Sequence, residues 1–233
     1  MIGTIINVIA ILVGGTIGLL FGSRIPERFK ATIIAGMGLF TAVMGVQMFF
    51  KSENQLIVLG AIIIGTIFGE WLGIEERLQE FGLALEKRFS NDNESGTGSR
   101  FVRGFMVASL LYCIGPMAIL GSIQDGLTGD YSLLAVKSTL DGFASIAFAS
   151  TMGIGVMFSS IIILVYQGGI SLLAEGLSTI ISDPMMNEMT ATGGVLLMGV
   201  AVSNLLELKK IRVGNFLPAL VVAPLIVWVL GKF

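Results

Sequence analysis

The chain has 233 residues, 54% of them hydrophobic and 13% charged. A soluble domain carries about 25% charged residues, so the composition excludes an ordinary soluble globule and indicates a polytopic membrane protein. Net charge is −2, histidine is absent and Cys113 is the sole cysteine. The usual general base and metal ligand are therefore missing, and no intrachain disulfide can form.

A membrane helix needs roughly 20 mostly apolar residues. Met1–Gly22 has no charge and, lacking a basic stretch before it, reads as a retained helix, not a signal peptide. Ala31–Phe50 and Gln55–Gly73 are the next two runs, the latter with only Glu70 near its end. In "IEERLQEFGLALEKRF", Ile74, Leu78, Phe81, Leu85 and Phe89 share one helical face and charges fill the other. This predicts an amphipathic helix on the membrane surface. "SNDNESGTGS", Ser90–Ser99, reads as a polar linker. The chain thus divides into an N-terminal three-span part (1–73), a surface helix with its linker (74–100), and a C-terminal part with broken helices (101–233).

In the C-terminal part, the apolar runs are Phe105–Gly121, Tyr131–Ser150, Gly153–Leu173, Ala191–Leu206 and Val213–Leu230. A short acidic segment, Ala174–Glu188, interrupts them. Tyr131–Ser150 is the weakest run and reads either as a full span or as a re-entrant half helix. The total is about seven or eight membrane or re-entrant helices. With eight crossings and the N-terminus outside, Arg24, Arg28 and Lys30 fall on the cytoplasmic side. So do Arg77, Lys87, Arg88, Arg100, Arg103, Lys209, Lys210 and Arg212. This positive-inside pattern predicts a multi-pass protein of the cytoplasmic (inner) membrane with both termini outside.

Two glycine ladders stand out: Gly14, Gly18 and Gly22, then Gly65, Gly69 and Gly73. Small residues at steps of four let helix backbones approach closely. Close packing within one bundle is the favoured reading, and a homodimer through these helices the alternative. Each ladder is followed by an Ile-x-Glu-Arg run, a hint of internal duplication.

The stretch "LLAVKSTLDGFAS" places Lys137 and Asp141 four residues apart, with Ser145 one turn further on the same face. A charge near the bilayer centre costs at least about 2.5–3.5 kcal/mol, and intramembrane ionisable residues are functional by default. The stripe must face inward. It reads either as a substrate or ion site, with Asp141 as cation or proton ligand and Lys137 as counter-charge, or as a neutralised pair that fixes packing. "IGPMAILGSIQDGLTGD" breaks a helix at Gly115-Pro116 and reaches Gln124 and Asp125. "STMGIG" interrupts the next run at Gly153 and Gly155. Apolar helix, break, polar residues, charged helix, break is the pattern of discontinuous transporter helices. A plain outer loop and hairpin is the alternative. Gln124, Asp125 and Asn204 join Lys137, Asp141 and Ser145 as candidate substrate or ion ligands. Asn215 reads as capping or bonding at the cytoplasmic start of the last span, and Glu70, beside Trp71, as an interfacial anchor.

No Walker loop, dinucleotide fingerprint, serine–histidine set or HExxH is present. No catalytic residue, metal site or cofactor is expected, and the membrane-flanking basic residues need no nucleic acid to explain them.

"GPMAILGSIQDGLTGDYSLLAVKSTLDGFASIAFASTMGIG" and "LLELKKIRVGNFLPAL" resemble the YdfK/YqgA-like inner-membrane proteins, a bacterial domain-of-unknown-function family, over essentially the whole chain. The resemblance implies a cytoplasmic-membrane protein and a transporter, and supplies no site residues. The expectation is therefore an all-α membrane helical bundle. Its function would be secondary transport or channel conduction of a small charged solute, with a site around 115–155. The competing reading is a membrane scaffold or sensor that recruits a cytoplasmic partner through 74–100. The bilayer and a small solute or ion are the expected partners.

Overall fold

A computed structural model describes residues 1–22, 24–89, 100–178 and 181–231. The linker expected at Ser90–Ser99 lies outside the described residues. The described chain is helical throughout, with no strand. The order is α1 (Ile2–Gly22), α2 (Glu27–Phe49), α3 (Gln55–Leu72), α4 (Ile74–Phe89), α5 (Arg100–Cys113) and α6 (Pro116–Thr128). Then follow α7 (Ser132–Met152), α8 (Gly155–Leu172), α9 (Ala174–Ser178), α10 (Asp183–Val200) and α11 (Ala219–Leu230).

Among the described residues, seven helices are long and apolar enough to cross a membrane. The number rises to eight if α5 and α6, bent by 63°, form one broken span. The bend falls at the expected Gly115-Pro116. Gly115 has φ +144, a backbone state that a side chain rarely adopts, so the helix stops there. The second expected break is a turn instead. Gly153 (φ +86) ends α7 and α8 begins two residues later. Both helices are of spanning length, which gives Tyr131–Ser150 the full-length form of its two readings.

α10 begins at Asp183, inside the segment expected to be an acidic loop. Asp183 and Pro184 occupy its first turn, where a negative charge and a missing N–H both suit a helix start. At its other end the helix widens into a π-turn, Ala201–Leu205, where the Leu206 N–H reaches the Ala201 carbonyl. Such π-turns often mark functional sites, but composition and periodicity do not announce them.

The chain forms two compact units. The first comprises 1–36, 79–113 and 117–179; the second comprises 37–78, 114–116 and 180–233. Each takes segments from both the 1–73 and the 101–233 parts, so neither follows the sequence divisions.

In the first unit, α1 packs along α7 through its glycine ladder. A Cβ at Gly14, Gly18 or Gly22 would run into the backbone carbonyls of Gly142, Ile146 or Ser150. In the second unit, Gly65 and Gly69 meet the backbone of Ala219 and Asn215 in the same way. Both ladders are therefore used within the chain. Gly14, Gly18, Gly22, Gly65 and Gly69 thus serve close packing inside their own units.

The opposite helix faces carry the apolar surface. Ile5, Ile9 and Val13 of α1, and Leu56, Leu59 and Ile67 of α3, are more than half exposed. A soluble monomer rarely exposes such continuous stripes; a helix in lipid must.

α4 has the predicted bounds but a different buried face. Glu75, Gly82 and Glu86 are buried, while Phe81 and Phe89 are 40% and 54% exposed. The two phenylalanines nonetheless make ring contacts, with Phe105 and Phe158 respectively.

Candidate functional site

The polar residues of the first unit converge on α7. Lys137 and Asp141 form a buried ion pair, their side chains 8% and 11% exposed. The i,i+4 spacing aligns them on one face, and the glycine contacts bring α1 close enough to add a third member. Asn7 of α1 donates its side-chain N–H to Asp141 Oδ2 at 3.0 Å. The same group lies 3.3 Å from Gln167 Oε1 of α8. Asn7 and Gln167 are both fully buried.

α5 closes another side. Tyr112 and Ser145 are hydrogen-bonded through their hydroxyls at 2.8 Å. The Lys137 ammonium lies 5.9 Å from the Tyr112 ring centre, within cation–π range. One cluster thus draws on four helices: Asn7 (α1), Tyr112 (α5), Lys137, Asp141 and Ser145 (α7), and Gln167 (α8).

The cluster is not saturated. Asn7 Oδ1 and Gln167 Nε2 are buried without a hydrogen-bond partner among the described residues. So are Thr4 Oγ1, one turn from Asn7 on α1, and Ser109 Oγ, one turn from Tyr112 on α5. Each such atom costs about 1–3 kcal/mol, and buried polar groups in native proteins normally have partners. An unmet acceptor and an unmet donor beside an ion pair are the groups a small polar or charged ligand would satisfy.

Among the sequence candidates, Lys137, Asp141 and Ser145 are brought together here. Asp125 is placed differently. Its carboxylate accepts the N–H groups of Ile2 at 3.2 Å and Gly3 at 3.0 Å, so it caps α1. The cap lies one helical turn, roughly 6 Å, along α1 from Asn7. Gln124, its neighbour, points outward and is exposed, because adjacent helical residues face different sides. Asn204 lies on the π-turn of the second unit and is half-buried.

Asn7, Gln167 and Tyr112 were not anticipated. Each is one uncharged polar residue in an apolar run, and only the fold reveals that they share a centre. Asp130, in the loop before α7, accepts the Ser132 N–H at 3.0 Å. Hydrogen bonds from the Ser132 side chain and backbone hold its carboxyl below the usual carboxylate range.

The second unit has its own buried carboxylate. Glu188 of α10 accepts from Ser52 Oγ (2.7 Å) and from the N–H groups of Glu53 (2.8 Å) and Asn54 (2.9 Å). It thereby fixes the entry to α3. Asn215, expected to cap or bond at the start of the last span, instead serves α4: its Oδ1 accepts the Glu75 N–H at 2.7 Å. Glu70 pairs with Arg212 at 3.0 Å on the exposed surface.

The family model described as "Protein of unknown function (DUF554)" matches residues 2–228. The chain is 30% identical over 237 residues to "Uncharacterized membrane protein YdfK" of Bacillus subtilis (strain 168), covering all of this chain and 98% of the relative. It is also 30% identical over 223 residues to "Uncharacterized protein YqgA" of Escherichia coli (strain K12), covering 96% and 94%. No solved structure matches. With its membrane-length apolar helices and these relatives, this is a membrane protein. The chain belongs to the DUF554 family.

Proposed function

We propose that this protein is a secondary transporter or channel for a small charged solute, and that the solute binds at the Lys137–Asp141 pair. The observation that carries this reading is the unsaturated polar cluster around the pair. A pair serving packing alone would be best placed among groups that are all satisfied, because half-satisfied polar networks are unfavourable. Here Asn7 Oδ1 and Gln167 Nε2 are left over beside it. Asp141 offers a site for a cation or proton, Lys137 for an anion, and the two amides fix orientation.

Further support comes from the series of polar groups along α1. Asp125 sits at the helix start, Thr4 and Asn7 follow, and Asp141 is bonded to Asn7. In this reading the protein sits in the bacterial cytoplasmic membrane with both termini outside, which the positive-inside pattern supports. No chemical step is assigned.

The test is uptake into proteoliposomes of a labelled panel containing sodium, an organic anion and a zwitterionic amino acid, with wild type beside Asp141→Asn. Wild type should carry at least one member and the variant none, while both elute as folded protein. Equal flux in the two would refute the assignment, as would a wild type indistinguishable from empty vesicles across the panel.

A further inference from the structure

We propose that the first unit holds a second site, for a phosphate-bearing anion, in the cavity bounded by Lys30, Arg100 and Arg103. It shares no residue with the cluster around Asp141 and stands independently of the transport reading.

The cavity has a volume of about 170 Å³. Lys30 comes from the start of α2, and Arg100 and Arg103 from the first turn of α5. The end of α7 contributes Thr151 and Met152, and Ile34 of α2 adds apolar surface. At roughly 30 Å³ per water molecule, there is room for one phosphate group.

Three cations surround this space, and no acidic residue is among the described residues that line it. Two of the three also stand in the first turn of a helix, where the backbone dipole favours negative charge; α5 has no acidic residue in that turn. An anion in the cavity suits that dipole. The arginine forks match phosphate oxygens in geometry, and the lysine adds a point charge. Each of the three residues already takes part in an interaction within the chain. A shared anion adds to those and does not require bare cations.

The apolar part of the wall favours one source of phosphate. Ile34 and Met152 lie beside the cations, and Phe29, next to Lys30 in sequence, is 62% exposed. A site with a basic head and an apolar flank, at the ends of membrane helices, suits the headgroup of an anionic phospholipid. Free inorganic phosphate offers the same oxygens without the acyl chains.

The experiment is native mass spectrometry of the full chain in detergent, with phosphatidylglycerol, phosphatidylcholine or inorganic phosphate added. Wild type should retain one phosphatidylglycerol roughly tenfold more tightly than phosphatidylcholine, the scale of one charge-assisted hydrogen bond. That preference should vanish in the Lys30→Gln, Arg100→Gln, Arg103→Gln triple variant and survive in Lys30→Arg. If inorganic phosphate binds wild type and displaces the lipid, the anion site stands with free phosphate as its source. No preference between the two lipids and no phosphate binding in wild type would overturn the proposal, and that comparison needs no variant to fold. A triple variant that keeps the full preference would overturn it as well.

Discussion

Asn7 of α1 donates to Asp141 of α7 at 3.0 Å, so the charged residue of one helix is held by an amide on another. The same Asp141 oxygen bonds Lys137. The contact is available because Gly14, Gly18 and Gly22, on the same face of α1, let its backbone lie against the carbonyls of α7. Close packing and the polar centre are thus one construction.

The pair itself gives the first prediction. Removing one partner of a buried ion pair typically costs about 3–5 kcal/mol, because the other charge is stranded. Lys137→Met and Asp141→Asn should each lower the thermal unfolding temperature in detergent. The double variant should recover most of that loss, since neither charge remains. It should nonetheless carry no solute, which separates the binding role from the packing role.

Asn7→Ala removes a donor from a buried carboxylate. Hydrogen bonds to charged groups are worth about 1.5–3 kcal/mol, and a loss of that size is expected in chemical denaturation. Gln124→Ala, one residue from Asp125 and exposed, should change stability by less than about 0.5 kcal/mol. Matching losses in the two variants would mean that Asn7 is not engaged as described.

The glycine contact predicts a steric effect. Gly18→Val places a side chain against the Ile146 carbonyl, and overpacking of this kind costs about 1–3 kcal/mol or more. Gly36→Ala is the control: nothing lies within 4 Å of its added Cβ. Alanine is the better helix former by up to about 1 kcal/mol, so that variant should be neutral or slightly more stable. Yield and unfolding temperature of the two variants in detergent make the comparison.

In the second unit, Glu188→Ala removes the acceptor for Ser52 Oγ and for two backbone N–H groups at the entry to α3. Hydrogen exchange should rise at residues 53–56, with little change at the distant end of α3.

The sequence carried the helices and the charged stripe, because both are periodic signals. Lys137, Asp141 and Ser145 lie one turn apart, and charges in an apolar run are conspicuous. Gly115-Pro116 was equally legible, since both residues interrupt a helix locally. Asp125 was visible as a charge, but its role as the α1 cap depends on a partner more than a hundred residues away. The same distance hid Asn7 and Gln167, whose polar groups become notable only when α1 and α8 meet α7. Gly153 was legible as a break. Whether it divides one span or joins two depended on the length of α7, which its mixed composition left open.

The most direct test of the central claim asks whether solute-sized reagents reach the buried cluster. Cys113, buried and unpaired, is first replaced by alanine. Cysteine is then introduced at Ser145 or, as a control, at the fully buried apolar Ile163. Membranes are treated with a positively charged, membrane-impermeant methanethiosulfonate. A path to the cluster predicts labelling of Ser145→Cys in folded protein and none of Ile163→Cys. Labelling of Ser145→Cys only after denaturation would contradict the claim and leave Lys137 and Asp141 as a sealed packing pair.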